Sequence, residues 1–335
     1  NERTSLSGFR FTFSIGGSIL SLILAQIIFA VFKANTNASD SCNANSLQYL
    51  ILGGICAVVS ILSLYWCIWG VRDRVYAVEN QRLENQTLYV VEELNFRQQL
   101  RVVFRNRPFL YVIGIYFFSW LAVQITASII PYFVVNYMKL AEADFIQVTI
   151  AVQGTALAML FVWSALSKRF GKKAVYFMGM GLWIVAQAGL FFLKPGQVGL
   201  MYVLAVMAGF GVSTAYLIPW AMVPDVIELD ELETGQRREG IFYAFMVLLQ
   251  KVGLAAGLFL LGIALSWSGF QERVPCQPAP SQPESALLAI QIAIGPLPTV
   301  ALVCGLVLAY FYPITREYHT EIVYRLNQRH NNQNQ

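Results

Sequence analysis

The chain has 335 residues, of which 57% are hydrophobic and only 13% charged, with a formal net charge of +4. Soluble domains carry roughly 25% charged residues, so this surface has too little charge to face water on all sides, and a soluble enzyme is excluded. Glycine (24) and proline (12) are at ordinary levels, which also excludes collagen-like and disordered chains and leaves a protein of the lipid bilayer.

Apolar runs of roughly 20 residues are long enough to cross the hydrocarbon. In chain order they fall at 9–32, 47–71, 109–137, 145–166, 174–193, 199–223, 241–267 and 286–312. Lipid offers backbone groups no hydrogen-bond partner, and the runs are too long and too evenly apolar for barrel strands. The expected fold class is all-α integral membrane with eight transmembrane helices.

Basic residues then orient the spans. Arg3, Arg10, seven Arg between Arg72 and Arg107, Lys168, Arg169, Lys172, Lys173, Arg237, Arg238, Arg316, Arg325 and Arg329 lie on one side, and only Lys33, Lys139, Lys194 and Arg273 on the other. The positive-inside rule puts both termini and the long middle loop in the cytoplasm. Polar segment 72–108 is either an amphipathic helix, with Leu83, Leu88, Val91 and Leu94 against lipid, or a solvated linker. Two spans precede it and six follow, as in transporters of two six-helix halves. The expected domains are 1–71, the last two helices of an N-terminal half; 72–108, the inter-half loop; 109–313, a six-helix C-terminal half; and 314–335, a cytoplasmic tail. On this expectation four spans precede Asn1, where the chain opens without Met or a signal-peptide pattern.

Cys56, Cys67 and Cys304 lie inside spans, where a small polarisable side chain packs. Cys42 and Cys276 lie in outward loops, where a disulfide can persist, although sequence does not give their separation. Asn37-Ala38-Ser39 is a glycosylation sequon in one of those loops. Lys251 stands near the middle of the seventh run. A cation there costs at least about 2.5–3.5 kcal/mol, so it is expected to face a hydrated cavity or a carboxylate and to organise a central coupling site. Ser119, Trp120, Gln124 and Ser128 recur at helical spacing on the third span; Ser119, Trp120 and Gln124, with Tyr216 and Trp220 on the sixth, are the substrate-cavity candidates, and interhelical packing is the competing reading for each.

Two segments of the cytoplasmic side are denser in signal. The first, 164–173, is a tight basic turn holding Ser167, Arg169, Gly171 and Lys172. The second, 224–239, concentrates acid where the positive-inside rule expects base: Asp225, Glu228 and Glu231 share one face of a helix end. Arg237 and Arg238 follow a Thr-Gly turn and can fold back on them, and Glu239 comes next. Such a network can latch helix ends in one state and release them in another.

These segments carry a resemblance. The 164–173 turn resembles the loop motif of the major facilitator superfamily. Pro224-Asp225-Val-Ile-Glu228, Glu231, Thr234-Gly235 and Arg237-Arg238-Glu239, followed by Lys251, are similar to the glycoside–pentoside–hexuronide, or melibiose-permease-type, cation symporters. Phe117-Phe-Ser-Trp-Leu121, Leu217-Ile-Pro-Trp-Ala-Met-Val-Pro-Asp225, Ser268-Gly-Phe270 and Tyr312-Pro-Ile314 look like the sodium-dependent lysophosphatidylcholine symporters of the same superfamily.

The resemblance aligns the chain with spans 5–12 of twelve. It implies an inner salt-bridge network including Arg3, a functional Lys251, and a Cys42–Cys276 disulfide. The expected function is cation-coupled symport of a small solute, Na⁺ or H⁺ driving uptake of a sugar or glycoside, with a lysophospholipid as the alternative. The main cation ligands fall on preceding spans, so no metal site or other cofactor is expected here. The expected setting is the plasma or inner membrane, as a monomer in the lipid bilayer and without nucleic acid. An intramembrane enzyme is not expected, because both histidines, His319 and His330, lie in the tail and no carboxylate lies mid-span. A channel or a transport-like receptor is the rival of a different class.

Overall fold

The computed structural model describes residues 2–35, 41–85, 96–236, 238–272 and 280–333. Arg237, Cys276 and the 37–39 sequon lie outside the described residues, as do the side chains of Arg3, Cys42 and His330. Among the described residues every regular element is helical: α1 (Glu2–Asn35), α2 (Ser41–Asn85), α3 (Phe96–Arg105), α4 (Arg107–Tyr132) with a π-helical extension (Phe133–Tyr137), α5 (Glu142–Phe170), α6 (Lys172–Phe192), α7 (Val198–Thr234), α8 (Glu239–Trp267), α9 (Glu284–Ile294), α10 (Pro296–Phe311) and α11 (Arg316–Gln333). Eight described stretches are long and apolar enough to cross a membrane, matching the eight expected from sequence.

Packing divides the chain into two units. Among the described residues one holds Leu20–Leu100, and the other holds the start of α1 through Ile19 and the chain from Arg101 onward. In the first, Ser21 lies 3.7 Å from Cys56 and Phe29 meets Tyr49 edge to face. Leu50, Tyr65, Trp66 and Trp69 on α2 are each at least 70% exposed, a surface suited to lipid rather than water. Helix α2 runs on to Asn85, well into the segment expected to be the inter-half loop, for which sequence left an amphipathic helix and a solvated linker open. No Gly or Pro interrupts its polar end, and Leu88, Val91 and Leu94 lie outside the described residues.

The second unit packs around α4 and α7. Gly209 and Gly211 let α7 close on its neighbours: a Cβ at Gly209 would sit 2.7 Å from the Val152 carbonyl of α5, and one at Gly211 would strike Trp183 of α6. Helix α7 has 37 residues, a rise of about 55 Å against about 30 Å of hydrocarbon. Its acidic C-terminal end therefore projects beyond the apolar layer.

The eighth span, expected as one run, is broken at Gly295 between α9 and α10. Pro298 has no N–H to give to the Ile294 carbonyl. The fully buried Gln187 of α6 makes up this loss. Turned to satisfy both of its ends, its amide donates to the Ile294 carbonyl and accepts from Trp183 Nε1 at 3.0 Å and Thr126 Oγ1 at 2.8 Å.

Candidate functional site

A pocket of about 220 Å³ opens among α1, α4, α5, α7 and α8. From α1 come Arg10, Phe11, Ser14, Ile15 and Ser18, and the other helices add Trp120, Gln153, Tyr216 and Gln250. Its wall is aromatic because Trp120 sits on α4 and Tyr216 and Trp220 one turn apart on α7. Ring centroids lie 5.6 Å apart for Trp120 and Tyr216 and 6.0 Å apart for Phe11 and Tyr216. Trp220 lies behind this wall, 4% exposed, stacked on Tyr243 and edge-on to Tyr116. The Arg10 guanidinium stands 4.3 Å above the Trp220 ring, close enough for cation–π attraction. Trp120 Nε1 and Gln153 Oε1 are buried without a hydrogen-bond partner among the described residues. A donor and an acceptor without partners among the described residues, and a cation, thus belong to one pocket with an aromatic wall.

The sequence candidates divide at this pocket. Trp120 and Tyr216 line it and Trp220 backs it. Ser119 turns the other way: it is fully buried, shares a 2.7 Å hydrogen bond with Tyr176 of α6 and donates to the Ile115 carbonyl. Gln124 does not line the pocket but packs against Gly257 of α8. Both pack between helices in this structure, because one residue along a helix is a 100° rotation. Lys251 is exposed, next to the pocket residue Gln250, and has no ion-pair partner among the described residues. Arg10, which sequence reasoning counted only as a topology marker, is the pocket's cation. A larger hollow of about 620 Å³ lies at the other end of α4 and α8, around Tyr132, Asn136, Phe270 and Glu272. Its described lining includes no Lys or Arg.

The second cluster joins the basic turn to the acidic run. Gly171, at φ 86°, turns the chain from α5 into α6, and Ser167 Oγ donates to the Ser164 carbonyl. Lys172 Nζ then reaches Asp225 of α7 at 2.6 and 2.8 Å and the Ala221 carbonyl at 2.7 Å. The Arg169 carbonyl accepts from Arg316, fixing the start of α11. From α11, His319 Nε2 lies 2.8 Å from Glu228 and 3.2 Å from Asp225. Ile322 and Leu326, nearly buried, complete the docked face of that helix.

Farther along α7, Arg238 folds back past Gly235 and grips Asp230 at 2.8 and 3.0 Å, in the fork geometry of a strong pair. Asn106, which caps α4 through Phe109 N, also donates to Asp230 at 3.4 Å. Neither Glu231 nor Glu239 is free of partners. Sequence reasoning missed His319 and Asp230 as network members; the two-residue separation of Asp230 from Glu228 and its burial gave no signal in a charge count.

The hydrogen bond to Glu228, with the charge of Asp225 beside it, raises the His319 pKa above its ordinary 6.5, against partial burial and the nearby Lys172. The raised value belongs to the docked form. Docking of α11 is therefore fully supported below about pH 6.5 and weakens as pH climbs through the raised value. Hydrogen exchange of α11 amides, corrected for intrinsic rates, is expected to rise severalfold across that interval. His319→Gln is expected to flatten the profile, and an unchanged profile in that variant would remove His319 as its origin.

Comparison with known proteins bears on what these clusters belong to. The family described as MFS/sugar transport protein matches residues 1–316. The chain is 47% identical to the uncharacterized symporter sll1374 of Synechocystis sp., over 99% of the chain and 72% of that protein. It is 27% identical to sodium-dependent lysophosphatidylcholine symporter 1 of Xenopus tropicalis, over 95% of the chain and 62% of the relative. It is also 27% identical to a Salmonella typhimurium protein named "Putative sulfoquinovose importer", over 100% of the chain and 66% of the relative. The chain thus spans somewhat under two thirds of the length of these last two relatives. With eight apolar helices and a match across nearly its whole length, it is a multi-pass membrane protein that belongs to the MFS/sugar transport family, a family of transporters and not of enzymes.

Proposed function

We propose that this chain forms part of the solute pathway of a cation-coupled symporter working by alternating access, and that the solute is a sugar or glycoside bearing an anionic group. The observation that carries this reading is Arg10 held over Trp220 in a pocket that also offers an unpartnered indole N–H and an unpartnered amide oxygen. Aromatic planes suit the C–H faces of a sugar ring, Trp120 and Gln153 suit its hydroxyls, and a guanidinium suits a sulfonate, phosphate or carboxylate. Two relatives are named for sulfoquinovose and for lysophosphatidylcholine, and both compounds carry an acidic group. The lysophospholipid, whose Xenopus tropicalis symporter shares 27% identity with the chain, is the second reading.

Lys251 serves the coupling centre, with Na⁺ or H⁺ as the driving cation. The Lys172–Asp225–Glu228–His319 and Asp230–Arg238 clusters form the inner gate. That end of the spans, and both termini, face the cytoplasm of a cell membrane, in keeping with the basic bias. The protein works as a monomer.

Counterflow in vesicles containing the full-length product tests the solute. A labelled sulfonated sugar is expected to exchange faster than its neutral counterpart, and an imposed Na⁺ or H⁺ gradient is expected to concentrate it. Exchange of labelled lysolipid alone would move the conclusion to the second reading. Exchange of neither, or a steady current without concentrative uptake, would defeat the proposal.

A further inference from the structure

Helix α3 presents a face that neither the pocket nor the gate uses. Its ten residues, Phe96–Arg105, include Arg97, Arg101 and Arg105 and no Asp or Glu. Spaced i, i+4, i+8, the three arginines share one side of the helix, and all are exposed. Phe104, 65% exposed, lies on the same side, while Val103 on the other is 1% exposed in the core. None of the three arginines has an ion-pair partner among the described residues.

Like charges at this spacing repel and destabilise an isolated helix, so the arrangement calls for an anion to bridge them. Two residues farther on, at Arg107, α4 begins its apolar span, which sets α3 at the membrane boundary. An aromatic side chain among guanidinium groups at that depth matches the two parts of an anionic phospholipid: phosphate for the arginines, and the edge of the acyl layer for Phe104.

We propose that the exposed face of α3 binds the anionic headgroups of the adjacent lipid leaflet. Each basic residue near an anionic bilayer counts for on the order of fivefold in affinity. Loss of all three therefore is expected to weaken phosphatidylglycerol binding by at least tenfold.

The test is native mass spectrometry of the full-length product in detergent, titrated with phosphatidylglycerol or phosphatidylcholine. The unmodified protein is expected to retain phosphatidylglycerol preferentially. Joint Arg97→Gln, Arg101→Gln and Arg105→Gln substitution is expected to erase the preference, and the corresponding Lys variant, which keeps the charges, to hold most of it. Equal retention of both lipids by the unmodified protein, or an undiminished preference in the Gln variant, would overturn the proposal. So would displacement of phosphatidylglycerol by millimolar inorganic phosphate, which would make the site one for a soluble anion. The readout involves neither transport nor membrane orientation, so it can fail while the symport reading stands.

Discussion

Replacing Arg10 by Gln is expected to lower uptake of an anionic sugar by about ten- to a hundredfold, while uptake of the neutral sugar falls far less. The magnitude follows from a charge-assisted hydrogen bond, about 1.5–3 kcal/mol, at about 1.4 kcal/mol per factor of ten. Arg10 is the second residue of the apolar stretch Phe9–Val31, at its boundary, where a charge carries a smaller cost than at mid-bilayer. Attraction to the Trp220 ring, centroid at 4.3 Å, offsets part of that cost and holds the guanidinium at the pocket that Trp120 and Gln153 also line. Arg10→Lys keeps the charge but loses the flat face that stacks on indole, so an intermediate rate is expected. Initial uptake rates normalised to inserted protein decide the point. An equal fall for charged and neutral sugars would assign Arg10 to packing instead of recognition.

How much of this was legible in the sequence depends on which physical quantity each residue reports. The eight spans were legible because lipid demands long apolar runs and helices satisfy their own backbone. The end of α2 was not, since hydropathy marks where lipid ends and not where the helix ends. The break at Gly295 lay in plain view as Gly-Pro-Leu-Pro298, but apolar content ran through it unchanged. Helical spacing placed Trp120 and Tyr216 on the pocket, and the same rotation of 100° per residue carried Ser119 away from it toward Tyr176. The basic turn and the acidic run read correctly as charged segments. Their pairing, Lys172 with Asp225 and Arg238 with Asp230, is a tertiary fact that depends on how α6, α7 and α8 end beside one another. His319 was out of reach because docking of α11 rests on Ile322 and Leu326, two buried apolar residues in a mostly polar tail.

The Lys172–Asp225 pair is where substitution is expected to cost most in stability. The Asp225 side chain is 7% exposed and that of Lys172 is 25% exposed, with Nζ 2.6 Å from the carboxylate. Lys172→Met leaves a nearly buried carboxylate that, among the described residues, keeps His319 at 3.2 Å as its remaining basic partner. Breaking a buried pair from one side costs about 3–5 kcal/mol, and the remaining imidazole places this case near the lower end at acidic pH. Above the raised His319 pKa that help is lost, so the penalty is expected to grow with pH, in the same direction as the loosening of α11. Removing both charges, Lys172→Met with Asp225→Leu, takes away the stranded carboxylate and is expected to recover most of the lost stability. Thermal unfolding of the purified protein at pH 6 and pH 8.5 measures all three effects. If the cluster is a gate as well as a brace, the double variant regains its melting temperature without regaining transport, because the contact that must form and break in each cycle is gone. Recovery of both together would make the pair a structural ion pair and return the gating role to Asp230 and Arg238.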